Sequence, residues 1–272
     1  MRILPHLLTT PPHSGDLLLS SFYYKIPPEL HKGLKLNSFI SKDATFSPFF
    51  QEEIMADFFD QELHFKVLSK GYEKEAAYRL RHQVFAEELG WVPCNQEGWE
   101  TDDYDYSCIL LGLFTKNELI ACLRILLPSQ QFMIEKEFKD ILGEHKIQKS
   151  PRTIEVTRFC VASAVRKCQV ITKYGKFPFI MALEKAFYNW CRFNGMDDVY
   201  MVVSKNFFRL LNLLGMPCKA IAPAVQMPDG VIALAAISSW TSFEEFNKEK
   251  KPNLLAWFKD SEEFDLVEEV AA

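Results

Sequence analysis

The sequence predicts an α/β sandwich in which helices flank one mixed β-sheet. Some segments carry apolar residues with a period of two, others carry them with a helical period, and the two kinds alternate along the chain. The 272 residues are 48% hydrophobic and 25% charged, which is enough apolar material for one large core. We therefore expect one folded domain with an extension.

Residues 1–62 are expected to be an irregular N-terminal extension, because they contain six prolines and no sustained periodicity. Pro5 and His6 interrupt the first apolar run, so we expect no export signal, and no stretch approaches the about eighteen apolar residues of a membrane span. The seven scattered cysteines never form a C-x-x-C pair, which favours neither a zinc site nor a disulfide framework. We expect a cytoplasmic protein without a metal.

The domain itself is expected over residues 63–240, and its first elements have clear patterns. HFKVLS alternates like a strand, and residues 73–89 carry apolar side chains at helical spacing up to Gly90. Residues 107–126 contain two apolar runs around a polar turn, which predicts a β-hairpin.

The second half alternates helices and strands and ends in a helical tail. The expected order is a helix (132–142), a strand (153–162), a helix (179–195), a short strand (199–204), a short helix (206–215), two strands around Asp229-Gly230 and a tail over 241–272. This order resembles the GNAT type of N-acyltransferase, with a mixed central sheet flanked by helices.

Charged and aromatic residues form a series of motifs along this domain. They are Arg81-x-x-x-Phe85-x-x-x-x-x-Trp91, Asp102-x-x-Asp105, Arg124-Ile-Leu-Leu-Pro128 and Glu155-Val-Thr-Arg158-Phe159. In this order, from about residue 72 to 236, they resemble the acyl-homoserine-lactone (autoinducer) synthases. The resemblance implies a quorum-sensing enzyme that moves an acyl chain from acyl-carrier protein to the amine of S-adenosylmethionine and releases methylthioadenosine. S-adenosylmethionine is then a substrate, and no cofactor is implied.

The side-chain chemistry of the first two motifs also predicts a function, independently of the resemblance. Arg81, Phe85 and Trp91 belong to one helix and its exit, and could form an aromatic-walled lid over a cationic substrate. Asp102 and Asp105 are three residues apart and could share a face that attracts the same cation. A solvated acidic loop, with Trp91 as a core residue, is the alternative.

The later motifs place further charges in apolar strands. Arg124 is costly there unless it pairs with the acids, although an edge-strand arginine that reaches solvent is an alternative. Glu155 and Arg158 are predicted on opposite faces of their strand. The resemblance implies that Glu155 lies near the amine; an ordinary glutamate is about 3.5 pKa units too acidic to take its proton, so we expect either a raised pKa or, preferably, a water relay.

The substrate pocket is expected to include Phe159, Tyr200, Met201 and Ser204. Met201 cannot donate a hydrogen bond to a 3-oxo group, so we expect an unsubstituted acyl chain. Seven acids and no Lys or Arg lie between residues 86 and 106, whereas ten Lys or Arg and four acids lie between 151 and 210. A charge run is more often a solvated face, but this basic segment suits an acidic carrier protein.

The resemblance implies that this carrier docks on four basic residues: Arg166, Lys167, Lys173 and Lys176. Residues 165–177 lack the glycine-rich phosphate loop of coenzyme A-dependent GNAT enzymes, which argues against acetyl-coenzyme A. Nucleic acid is a poor fit, because the basic residues form no reading motif. The rival functions are an N-acyl amino acid synthase and a non-catalytic module that binds acyl groups or carrier protein.

Overall fold

Strands and helices alternate along residues 58–260, the part of the chain that a computed structural model describes. The strands are β1 (Phe58–Phe59), β2 (Leu63–Val67), β3 (Ile109–Thr115), β4 (Glu118–Leu126), β5 (Thr153–Val161), β6 (Gln169–Thr172), β7 (Gly175–Pro178), β8 (Asp198–Ser204), β9 (Cys218–Ala220), β10 (Val225–Gln226) and β11 (Ile232–Ser239). The helices are α1 (Gly71–Arg81), α2 (Met133–Lys136), α3 (Lys139–Leu142), α4 (Ile180–Phe193), α5 (Lys205–Leu214), α6 (Trp240–Lys250) and α7 (Pro252–Lys259).

The main sheet has eight strands in the order β10-β11-β8-β5-β4-β3-β2, and β9 also pairs with β11. Only the central pair β5 and β8 is parallel, so the predicted mixed sheet is confirmed. All nine residues of β5 are buried, since helices cover both faces of the sheet. On one face α1 packs against β4 and β5, whereas α4 packs against β3 on the other.

The predicted hairpin is confirmed as β3 and β4. Lys116 and Asn117 connect the strands with φ values of 46° and 72°. Positive φ at both central residues is the geometry of a two-residue turn whose twist matches that of the strands.

The predicted helix over 73–89 is present but changes its winding. It is α-helical up to Arg81 and continues as a π-helix over His82–Glu88, ending at Gly90, where φ is +62°. One π-type turn rotates the following side chains relative to a continuous α-helix, and such turns are frequent at functional sites. The predicted helix over 132–142 is two single turns, α2 and α3.

A second, three-stranded sheet was missed from the sequence. It consists of the β6–β7 hairpin, which lies between the predicted strand (153–162) and the predicted helix (179–195), and of β1, which pairs in parallel with β6. The Phe58 ring packs 5.3 Å from that of Phe179, so the last residues of the expected extension belong to the fold. The rest of that extension, and the tail beyond residue 260, lie outside the described residues.

Candidate functional site

A buried ionic network lies on the α1 side of the main sheet. Three arginines and three carboxylates form it: Arg81, Arg124, Arg158, Glu100, Asp102 and Asp105. The arginine side chains are fully buried, and the carboxylate side chains are at most 9% exposed. Charges of both signs balance within the group, which is what makes their burial tolerable.

Arg81 joins the end of α1 to the acidic loop. Its two terminal nitrogens donate to the two carboxylate oxygens of Asp105 at 2.7 and 2.9 Å, and its Nε donates to Glu100. This bidentate geometry is the strong form of an arginine–carboxylate pair. Arg81 is therefore paired with two of the acids that follow it in the chain.

Arg124 in β4 holds both aspartates. It donates to both carboxylate oxygens of Asp102, to Asp105 at 2.9 Å, and through Nε to the Thr157 hydroxyl at 2.9 Å. Because its side chain is fully buried, the alternative of an arginine that reaches solvent is wrong.

The acidic loop is shaped by its own side chains. Residues Asp103–Tyr106 form one 3-10 turn, Asp102 accepts from the Tyr104 N–H at 2.9 Å, and Asp105 accepts from the Asp102 N–H at 2.9 Å. This reciprocal cap turns both carboxylates toward the arginines. Burial alone would raise the pKa of Asp105, but the Arg81 and Arg124 guanidiniums outweigh it and hold that pKa well below its usual range. The alternative of a solvated acidic loop is wrong.

The predicted separation of Glu155 and Arg158 onto opposite faces is also wrong. The β4–β5 register shifts between Cys122 and Arg124, and Arg158 has a φ of 52°. A β-bulge of this kind inserts one residue and breaks the alternation of side chains. Arg158 consequently donates to Asp102 at 2.7 Å, in the same network as Arg124.

Glu100 is a member of the network that the motifs did not identify. It accepts from the Arg158 Nε at 2.8 Å and from Arg81. A signal was available, because three arginines placed in one buried site require a third carboxylate beside Asp102 and Asp105.

Glu155 lies close to this network but has a different environment. Its two carboxylate oxygens accept the backbone N–H groups of Met133 at 2.6 Å and Ile134 at 2.9 Å, at the start of α2. The residue is only 1% exposed, and burial raises the pKa of Glu155 to about 8 despite these two hydrogen bonds. A raised pKa of Glu155 is the first of the two alternatives that the sequence left open, and the preferred water relay stays a prediction.

The main sheet opens beside Glu155. Pairing between β5 and β8 covers only Thr153–Glu155 and Asp198–Tyr200, after which the two strands continue without pairing to each other. This opening puts Glu155 at the edge of a gap in the middle of the sheet. A gap of this kind exposes strand backbone to a bound group.

Trp91, the last residue of the first motif, lines a pocket at the end of β8. The Trp91 and Phe85 rings are stacked with centroids 6.3 Å apart. Trp91 lines the pocket together with Ser204 and Asp229. Asp229, which had been assigned only to a turn, is the one acidic side chain on this lining.

The remaining expected pocket residues are divided between the two faces. Phe159 and Met201 line a separate cavity on the α4 side of the sheet. Tyr200 lines neither cavity: its ring packs 6.5 Å from that of Phe132, and its hydroxyl accepts from the Gln148 N–H at 3.2 Å. The Tyr200 hydroxyl thus holds a neighbouring loop, and a place for Tyr200 in the substrate pocket stays a prediction.

The expected carrier-docking residues do not have equal access to solvent. Lys173 is exposed and forms an ion pair with Asp260 at 2.8 Å. Lys167 and Lys176 are exposed as well. The Arg166 guanidinium instead lies between Glu88, at 2.6 Å, and the Val161 carbonyl, at 2.8 Å, and its side chain is only 16% exposed. Arg166 thus joins β5 to the π-helix and is not an open docking residue.

Comparison with known proteins gives a consistent result. Residues 65–245 match the family described as autoinducer synthase. An acyl-homoserine-lactone synthase of Rhizobium radiobacter is 26% identical over 162 residues, which cover 57% of this chain and 73% of the relative. One from Acinetobacter baumannii is 25% identical, with 61% of this chain and 90% of the relative covered.

Two solved structures share the fold. The acyl-homoserine-lactone synthase LasI superposes with a TM-score of 0.55 at 20% identity, over 65% of this chain and 89% of that one. The coenzyme A-dependent acyl-homoserine-lactone synthase BjaI, bound to S-adenosylmethionine and isopentyl-coenzyme A, gives 0.57 at 16% identity, over 69% and 88%. These likenesses confirm the predicted fold class. Within residues 58–260, no helix is long and apolar enough to cross a membrane.

Proposed function

Because the chain belongs to the autoinducer synthase family and is therefore an acyltransferase, we propose that it joins an acyl chain to the amine of S-adenosylmethionine and releases an acyl-homoserine lactone and methylthioadenosine. The position of Glu155 carries this proposal. It is a buried carboxyl at the point where β5 and β8 separate, which is where an amine and a thioester from opposite sides of the sheet could meet. The free thiols of all seven cysteines suit a cytoplasmic reaction.

Glu155 takes the proton of the attacking amine. An α-amine titrates near 7.7–8.0, and the pKa of Glu155 is raised to about 8, so proton transfer between them is close to neutral in free energy. The amine nitrogen then bonds to the thioester carbon, and the carbonyl electrons move to its oxygen. When the carbonyl reforms, the C–S bond breaks and the second proton of the nitrogen passes to the departing sulfur, so the donor leaves as a thiol. Backbone N–H groups at the gap beyond Glu155 and Tyr200 stabilise the oxyanion.

The S-adenosylmethionine site lies at the Trp91 pocket. A sulfonium is stabilised by an aromatic face, which Trp91 supplies, and Asp229 adds one carboxylate on the same lining. Asp102 and Asp105 are already neutralised by arginines, so they position the loop and do not act as counter-ions of the substrate. The lactone then forms when the substrate carboxylate displaces methylthioadenosine within the same folded molecule.

Acyl-carrier protein is the donor that the structure favours. Coenzyme A-dependent GNAT enzymes bind a pyrophosphate at an open, glycine-rich helix N-terminus. At the corresponding position here, α4 follows Pro178 and begins after Phe179, which is fully buried against Phe58. The start of α4 therefore lacks the glycines of such a phosphate site, while exposed Lys167, Lys173 and Lys176 suit an acidic partner.

The experiment is to incubate the purified full-length chain with S-adenosylmethionine and matched acyl-carrier protein and acyl-coenzyme A donors of the same chain lengths. Mass spectrometry quantifies lactone and methylthioadenosine together. We expect equal amounts of both products and a higher kcat/KM with the carrier protein.

Each part of the proposal has its own contrary result. An advantage of acyl-coenzyme A would overturn the assignment of the donor. Acylation of free amino acids without methylthioadenosine would overturn the acceptor and favour an N-acyl amino acid synthase. No product with any donor would favour a non-catalytic module.

A further inference from the structure

A narrow cavity lies on the α4 side of the main sheet, away from the ionic network. It is enclosed by β5, β8, α4, α5, β9, β11 and α6. Its lining is apolar except for Glu184, Ser238 and the Trp240 indole, whose buried Nε1–H has no hydrogen-bond partner among the described residues. Two of its lining residues, Val156 and Met201, immediately follow Glu155 and Tyr200, the last paired residues of β5 and β8. The cavity therefore begins directly beneath the gap at which acyl transfer is proposed.

Glu184 is unusual among the residues of this lining. It lies in the middle of α4, is 6% exposed, and has no hydrogen-bond or ion-pair partner within residues 58–260. Ser238 is already engaged, because its hydroxyl donates to the Pro217 carbonyl at 3.1 Å, and the Trp240 indole can only donate, so Glu184 is the one acceptor of the lining side chains that is left open. A buried polar group without a partner is costly, and such groups in native proteins usually await a water or a ligand.

The surroundings of Glu184 decide whether its carboxyl is protonated or ionised. No arginine or lysine lines the cavity, so no cation there stabilises a carboxylate. Burial accordingly raises the pKa of Glu184 to about 8, which leaves it mostly a neutral acid at neutral pH. A neutral carboxylic acid offers one O–H donor and one carbonyl acceptor.

We propose that this cavity holds the acyl chain and that Glu184 selects chains carrying a hydroxyl or keto oxygen, to which its side chain hydrogen-bonds. The proposal rests on the proposed function, because it requires an acyl chain to enter through the gap. Met201 and Met216 on the lining can adjust to chains of different shape, but neither can donate to oxygen. The expected preference for unsubstituted chains considered Met201 alone and is revised by Glu184.

The physical reason is the asymmetry of buried hydrogen bonding. An unsubstituted chain leaves the Glu184 carboxyl without a partner, whereas an oxygenated chain satisfies it and has its own oxygen satisfied. A site built around a polar group discriminates against ligands that leave the group unpaired. Ionised groups on the ligand are disfavoured, because the lining is apolar.

The test compares acyl-carrier donors that differ only in one oxygen: octanoyl, 3-hydroxyoctanoyl and 3-oxooctanoyl chains. The quantity measured is the ratio of kcat/KM for each oxygenated chain to that for the octanoyl chain, from methylthioadenosine release. Glu184→Leu should lower the larger ratio by roughly three- to tenfold, the loss expected for one neutral hydrogen bond, and Glu184→Gln should retain most of it. Phe187→Leu is the control, because it changes the volume of the same cavity without changing its polarity.

The outcomes separate the two proposals. If methylthioadenosine forms with every donor and Glu184→Leu leaves both ratios unchanged, the role of Glu184 is overturned while the proposed function stands. An equal fall of the ratio in Phe187→Leu would assign the effect to cavity shape and also overturn it. If no donor yields methylthioadenosine, the proposed function itself fails. Thermal unfolding of each variant checks folding, and Glu184→Leu should not unfold earlier than the parent.

Discussion

Glu155 and Val156 are consecutive residues, and they face two very different sides of the main sheet. The Glu155 side holds the ionic network, in which three guanidiniums and three carboxylates satisfy one another. The Val156 side holds an apolar cavity with a single carboxyl, Glu184, which has no partner among the described residues. Both sides bury acids, yet the pKa values of these acids shift in opposite directions.

The acids are similarly buried on the two sides of the sheet. Their pKa values shift in opposite directions because only one side supplies positively charged partners. Burial would raise the pKa of Asp102 as well, but the Arg124 and Arg158 guanidiniums reverse the effect and lower it. Glu184 has no such neighbour, and its pKa rises to about 8. Glu155 lies between these cases, because two backbone N–H groups offset burial only in part. Charged partners fix carboxylates as a scaffold, whereas their absence leaves acids that can exchange a proton or donate a hydrogen bond.

The largest effect is expected from opening the ionic network. Arg81→Ala leaves Asp105 and Glu100 short of a buried partner, so the free energy of unfolding should fall by about 3–5 kcal/mol and turnover should be abolished. Denaturant titration and methylthioadenosine release measure the two effects. Arg79→Ala, two residues earlier on an exposed position of α1, is the control and should change stability by about 0.5 kcal/mol or less. A fully active, stable Arg81→Ala would show that the network is dispensable.

The next largest effect is expected at Glu155, whose carboxyl accepts from two backbone N–H groups but has no cationic partner. Glu155→Gln should lower kcat/KM by about 10²-fold or more, the usual contribution of a positioned general base. In the parent enzyme, kcat/KM should fall as the pH is lowered through about 8, since Glu155 then takes up a proton. Glu118→Gln, at another carboxyl whose pKa burial raises, is the control. A loss smaller than tenfold would restore the water relay in place of direct transfer.

A buried acid without a cationic partner should make the free energy of unfolding depend on pH, and Glu184 is the residue at which this can be measured. Its folded-state pKa of about 8 lies above the ordinary glutamate value of 4.5. Between these pH values the folded state holds a proton that the unfolded state has released, so stability falls as the pH rises. Glu184→Gln should therefore raise the free energy of unfolding by on the order of 3 kcal/mol at pH 7 and by little at pH 4. Urea titrations at both pH values measure this difference. A destabilised Glu184→Gln at pH 7 would indicate a partner for the carboxylate.

The smallest effect is expected at the exposed basic surface. Reversing the charge of Lys173 and Lys176 together should raise the KM for acyl-carrier protein a few-fold at low ionic strength, and added salt should diminish the difference. Reversal of Lys248 and Lys250 on α6 gives the same change in net charge at exposed positions and is the control. Equal KM values for the two double variants would remove this surface from the docking site.

Most of the fold could be predicted from local sequence patterns. The β3–β4 hairpin, β5, α4 and α5 were predicted because their apolar periodicity is long and their turns contain Asn or Gly. The β6–β7 hairpin was missed, because its strands are four residues each and depend on a partner, β1, that is distant in sequence. The π-helix was missed for a related reason, since no residue type specifies that winding.

The residue types of the candidate site were determined by the sequence alone. Its order of motifs placed Arg81, Asp102, Asp105, Arg124 and Glu155 in one domain, and their charges required that they pair when buried. Tertiary structure decided which of them pair and which do not. A bulge at Arg158 brought a third arginine to the network, and Glu100 completed the charge balance.

The raised pKa values of Glu155 and Glu184 also depend on tertiary structure, for a physical reason. A pKa is set by burial and by the charges and N–H groups around a carboxyl, and these come from segments far away in the chain. The sequence therefore showed that Glu155 and Glu184 are glutamates in apolar segments. Only the packing of α2 onto β5, and of α4 onto an apolar cavity, made them acids with a pKa of about 8.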